Sequence, residues 1–328
     1  MNEDWERQDA ARRAEVMALP TVRAWHHAEL VPPQEGDVRV SASVGPAGEV
    51  VALWSATADP AALKSAARVT VHVPDSVIAA HIPALPLAYP TVQPLPDGQV
   101  LVVGARCRWR SKGPDRNAIV YDHAGAVLSE HTFGDGIEHV QATRSGEVWV
   151  GYFDEGVYGN YGWGETSSPP PIGSSGLTRF SADFAQEWQF PDNSKWDVIS
   201  DCYALNVGNN ATWACYYSDF PVVRIQNDTV TGWHNNIGGA KALAVGGSRI
   251  ALFGGYGPDH DRLVVGELGE ERLHVLGEYR LVQPDGQPLP RTARVVGRGA
   301  DLHVLLDNSW LRLGIEDIVA LPSRNRHD

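Results

Sequence analysis

Residues 134–164, GDGIEHVQATRSGEVWVGYFDEGVYGNYGWG, contain the repeating unit of the chain and the loop that departs furthest from it. From His139 to Thr143 polar and apolar residues alternate, Arg144, Ser145 and Gly146 supply a turn, and Glu147 to Phe153 form a β-branched and aromatic run. That pattern predicts a β-hairpin: period-two alternation points one face of a strand at a core, and the glycine accepts turn angles that other residues resist.

The same pattern is written again as VSASVGPAGEVVALWS, TVQPLPDGQVLVVGA, YALNVGNNATWACYY, ALAVGGSRIALFGG and ARVVGRGADLHVLLD. Aligned on their second strands, the copies fall at Val50, Val100, Val148, Thr212, Ile250 and Leu302. A step of about 50 residues lies in the range of propeller blades, and a sheet of that size cannot bury both faces alone. A ring buries them mutually. The sequence therefore predicts an all-β fold, a six-bladed β-propeller over residues 21–322, with a short N-terminal helix in an extension at 1–20 and a flexible tail at 323–328. Asn2 as N-cap, acids in the first turn and no Gly or Pro before Pro20 account for the helix. Ile318 to Leu321 is expected to complete blade 6, with Thr21 to Leu30 as the alternative strand that closes the ring.

Charge narrows the partners. A formal net charge of −13 disfavours a nucleic-acid backbone, which needs a basic stripe, and an anionic membrane. Neither a charged and then apolar leader nor a run of roughly 18 apolar residues is present. Cys107, Cys202 and Cys215 show no paired spacing and read as reduced thiols, so the expected location is cytoplasmic.

In a four-stranded blade, the loop between strands two and three and the loop to the next blade emerge on one face. All the unusual loops here are of those two kinds. The longest, between Phe153 and Leu177, carries Tyr158, Tyr161 and Trp163, and a connection of that length is uncommon unless it has a role. The same face collects Arg106, Trp109, Trp196, Tyr256 and His260 as candidate ligand contacts, for a small molecule, a glycan or a protein. Glu138, His139, Asp154, Glu155 and Asp201 form a candidate acid and base set, since crowded carboxylates push their pKa values apart. The bland alternative is that His139 and Asp201 begin inner strands and satisfy neighbouring backbone groups. Most tryptophans, including Trp54, Trp149, Trp188 and Trp213, fall on strands and read as packing between blades.

Gly146 to Gly151, GEVWVG, resembles the blade motif of NHL-type and bacterial sensor propellers, and Gly176 to Phe180 with Gln186 to Trp188 resembles their outer strands. The blade number is also similar to that of gluconolactonase and SMP-30-like propellers. That resemblance implies a divalent metal over the channel, Ca²⁺ or Mg²⁺, held by oxygen ligands; the residue types available are Glu138, Asp201 and Asn206. Two readings stay open: a binding propeller using its loop-rich face, and a metal-dependent hydrolase or a lyase acting on a sugar-like substrate.

Overall fold

A computed structural model describes residues 2–57, 66–73, 76–166 and 168–319. Six antiparallel sheets follow one another along the chain, each beginning with an inner strand and stepping outward. The inner strands are Val38–Val44, Pro90–Pro94, Ile137–Ala142, Asp201–Val207, Ala242–Gly246 and Arg294–Arg298. Neighbouring inner strands touch around the whole ring, so the molecule is a six-bladed β-propeller. The hairpin read from the sequence is present: Ile137–Ala142 pairs with Val148–Tyr152, and Gly146 holds the turn at φ +90°.

Packing explains why six weak units hold together. Among the described residues the apolar side chains form six clusters, each shared by two adjacent blades. Leu101 and Val103 of blade 2 meet Val148 and Val150 of blade 3 in one of them. Truncating a fully buried leucine such as Leu101 to alanine costs about 2–5 kcal/mol through lost burial and the cavity left behind. Close approach near the axis excludes side chains altogether: a Cβ on Gly297 of blade 6 would lie 1.7 Å from the Leu243 carbonyl oxygen of blade 5.

The ring closes through the N-terminal segment. Trp25–Glu29 pairs antiparallel with Ser309–Gly314 and becomes the outer strand of blade 6, while Thr21–Arg23 adds a parallel fifth strand to blade 5 beside Leu273–Val282. The expectation of an outer strand at Ile318 to Leu321 is corrected, because Ile315–Val319 is a short helix whose Ile315 and Ile318 are buried against blades 5 and 6. Residues 323–328, expected to be mobile, lie outside the described residues. The N-terminal helix Asn2–Met17 packs on the blade 5 loop at Gly257–Asp261, where Arg12 Nε donates to Asp259 Oδ1 at 3.0 Å.

Candidate functional site

The axis of the propeller is blocked toward the short-turn face. Gln93 Nε2 donates to Ser43 Oγ and its Oε1 accepts the Ala142 amide. Gln141 Nε2 donates to the Leu205 carbonyl, and Gln141 Oε1 accepts both the Val207 amide and Arg298 Nη1. Asn206 Nδ2 donates to the carbonyls of Leu243 and Gly299. These amides and one guanidinium, all buried, tie all six blades together near the axis. Burial lowers the Arg298 pKa to about 10, which still leaves it charged at neutral pH. The channel is thus a blind pit that opens on the loop-rich face.

The inner strands of blades 3 and 4, like that of blade 1, carry a β-bulge near their start, here between Ile137 and His139 and between Cys202 and Ala204. A bulge leaves one residue unpaired and re-aims its side chain. Glu138 and Tyr203 are those residues. The orphaned Tyr203 carbonyl accepts a hydrogen bond from His139 Nε2 at 3.1 Å, so Nε2 carries the proton. Burial, reinforced by Arg294 and Lys241 and opposed by Glu138, lowers the His139 pKa. The ring is therefore neutral at pH 7 with Nδ1 unprotonated.

A cavity of about 220 Å³ occupies the pit, lined by Glu138, His139, Lys241 and Arg294 above the Gln93 and Gln141 amides. Asp201 stands at the same level at the start of blade 4. Burial raises its pKa to about 6, Lys241 pulls it down, and Glu138 and Asp154 push it up. Arg294 is open to the lumen yet surrounded by protein, and that enclosure lowers its pKa against the pull of Glu138. Blades 3 and 4 thus contribute acids to the mouth, and blades 5 and 6 contribute bases. None of these four charged groups forms an ion pair or hydrogen bond with another described residue. Lys241 Nζ instead sits 4.4 Å from the centroid of the Tyr203 ring. Tyr203 leads an aromatic wall: it stacks on Phe220, and Tyr256 donates its hydroxyl to the Tyr203 hydroxyl at 2.7 Å.

The other expected site residues lie beside the pit. Arg106 makes a two-point pair with Asp135, reaches Glu155 at 2.6 Å and lies 4.4 Å from the Tyr161 ring centroid. Hydrogen bonds from Asn160 and Arg106 lower the Glu155 pKa. Asp154 opens the short helix Asp154–Tyr158, and the exposed Tyr158 pairs its hydroxyl with Ser200 Oγ at 2.6 Å. The long blade 3 loop leans on the middle connection of blade 2, so its aromatic tip does not line the cavity. Trp163 is buried, donates Nε1–H to the Cys107 carbonyl and meets Trp109 edge to face. Trp196 is buried too, against Gly232 and His234. Both are corrected from ligand contacts to packing, because their ring faces are already covered. His260 does face a cavity, a second one described below.

Sequence reasoning missed Tyr203, Phe220, Lys241 and Arg294. A signal existed for two of them, since Lys241 immediately precedes the blade 5 inner strand and Arg294 begins that of blade 6, equivalent to Asp201 in blade 4. The metal set does not assemble. Asn206 lies five residues beyond Asp201, about 15 Å down the strand, with its amide committed to backbone at the blocked end. Among the described residues no group of three His, Cys, Asp or Glu is placed to hold an ion. No described helix is long and apolar enough to cross a membrane.

Comparison with known proteins adds little beyond the fold. The YxzG family matches residues 189–253, which take in blade 4 and the first two strands of blade 5. No curated protein matches the chain. Among solved structures, the chain is similar to a catalytically inactive virginiamycin B lyase from Staphylococcus aureus, crystallised with quinupristin, at 13% identity and a TM-score of 0.46 over 88% of this chain and 98% of that one. It is similar to a protein of unknown function from Desulfotomaculum acetoxidans at 10% identity and 0.47, covering 81% and 78%. BamB from Moraxella catarrhalis follows at 11% and 0.43, covering 85% and 77%.

Proposed function

We propose that this propeller binds a small charged molecule in the blind pit on its loop-rich face. One observation carries the reading: Glu138, Lys241 and Arg294 line one cavity, with Asp201 close enough to feel Lys241 and Glu138, and none of the four forms a hydrogen bond or ion pair with a described residue. Charged groups held in a partly enclosed site lose hydration, and an incoming ligand of complementary charge restores it. The amide plug below makes the pit a dead end, which suits capture rather than passage. A protein partner at the surrounding loops remains the broader form of the same reading, and an intracellular setting fits the three buried thiols.

Native mass spectrometry of protein purified under gentle conditions tests it. The expected result is a bound species in the native chain that is lost in Glu138→Gln and in Arg294→Met. A species retained by both variants would place binding elsewhere.

Proton-transfer catalysis, as in a lyase or hydrolase, is the second reading, and it rests on His139. With Nε2–H given to the Tyr203 carbonyl, the unprotonated Nδ1 of a ring within the field of Glu138 can act as a base. The base needs no metal and no triad. Turnover of a bound substrate by the native chain, abolished in His139→Gln with binding kept, would favour this reading; binding without turnover would sink it.

A further inference from the structure

The pit does not end at its own wall. A second cavity of about 210 Å³ lies between blades 5 and 6, and it shares Lys241, Ala293 and Val295 with the first. The two differ in chemistry. The first is walled by charged side chains and amides, whereas the second adds Phe253, Leu289 and Pro290, with His260 and Arg291 at its margin. His260 Nδ1 is buried there without a hydrogen-bond partner.

Charge around the first cavity is segregated. Glu138 in its wall and Asp201 beside it come from adjacent blades 3 and 4, and Lys241 and Arg294 in its wall come from adjacent blades 5 and 6. A simple anion would satisfy the bases and repel the acids; a simple cation would do the reverse. A molecule carrying both charges satisfies the two halves together. The ammonium and carboxylate of an α-amino acid meet that condition, and so does a short dipeptide in compact form. The bases stand on the side that adjoins the apolar cavity, since Lys241 borders both. A side chain attached next to the carboxylate is therefore directed into it.

We infer that the pit takes a zwitterionic ligand of the α-amino acid class, its ammonium toward Glu138 and Asp201, its carboxylate toward Lys241 and Arg294, and an apolar side chain in the cavity lined by Phe253, Leu289 and Pro290. This rests on the binding reading above and narrows it to a chemical class. No bond is made or broken.

Four probes separate the parts: L-leucine, isocaproate (no ammonium), isoamylamine (no carboxylate) and glycine (no side chain), titrated by calorimetry into the full chain. Each lost charge-assisted contact weakens binding by about tenfold or more, and so does loss of a buried apolar side chain. Leucine is therefore expected to bind at least that much more tightly than the other three. Arg294→Met, which leaves Lys241 in place, is expected to reduce the preference for leucine over isoamylamine and to keep the preference over isocaproate. Leucine bound no better than either truncated form would leave one charged half idle and overturn the inference, and so would glycine equal to leucine or silence from all four. Those failures stay distinct from failure of the binding reading: a co-purified molecule of another class, lost in Glu138→Gln, would keep the pit as a site while removing the zwitterion.

Discussion

Asn206 of blade 4 and Gly299 of blade 6 exchange two hydrogen bonds across the propeller axis: Asn206 Nδ2 donates to the Gly299 carbonyl and the Gly299 amide donates to Asn206 Oδ1, both at 2.8 Å. A side chain that imitates a backbone strand in this way belongs to the architecture. Replacing it by alanine strands the Gly299 amide and the carbonyls of Gly299 and Leu243, and each buried orphan costs about 1–3 kcal/mol. Asn206→Ala is expected to lower stability by about 3 kcal/mol or more in urea unfolding, with no change attributable to calcium or magnesium. Full stability in that variant would show that the amide is not structural.

The blade 3 loop divides into a packed and an open part. Trp163 is 4% exposed and hydrogen-bonded, whereas Tyr161 is 40% exposed. Trp163→Ala is expected to cost about 3–5 kcal/mol. Tyr161→Ala loses only cation–π contact with Arg106 and Arg108, worth about 0.5–1 kcal/mol at an exposed site. Paired thermal melts check this, and equal effects would mean that the loop does not dock through Trp163.

The fold was readable because six copies of one hairpin share a spacing of about 50 residues, and that period survives all the variation in loops. Ring closure was half readable. Residues 25–29 were available as a strand, but Ile318 and its neighbours looked equally strand-like, and only burial on two blades at once turns them into a helix. The candidate site was legible only in part. Glu138, His139 and Asp201 all lie at or next to the start of an inner strand, as the blade pattern placed them, yet the bulges at Glu138 and Tyr203 break the period-two alternation from which side-chain direction is inferred. Trp163 failed for another reason: an aromatic residue in a long loop reads alike whether it is buried on a neighbouring blade or open to a ligand.

Stability should depend on pH through Asp201. Its folded pKa is raised, mainly by burial, from 3.8 to about 6. Between those values the folded state holds a proton that the unfolded chain has released, so stability falls as pH rises through that window. Asp201→Asn is expected to flatten the slope there. An unchanged slope in urea midpoints measured across the window would mean that Asp201 is ionised as readily in the folded chain as in the unfolded one.

The thiols should be inert until the chain unfolds. Cys107, Cys202 and Cys215 are all buried, and burial pushes Cys107 and Cys215 up to about 12 and raises Cys202 as well. The thiolate is the reactive form. Iodoacetamide is expected to leave the native chain unmodified and to label all three positions in denaturant. Rapid labelling of any one in the native state would contradict that burial.

The central claim is that the charges at the pit are kept for a ligand and not for the fold. Arg294 gives the most direct measurement, because enclosure lowers its pKa and so disfavours its charged form, with no hydrogen bond or ion pair to a described residue to offset that cost. Urea unfolding of Arg294→Met, without added ligand, should show a midpoint equal to or higher than that of the native chain, since residues retained for function commonly carry a cost in stability. A clear fall in the midpoint would mean that Arg294 holds the ring together, and would contradict the account.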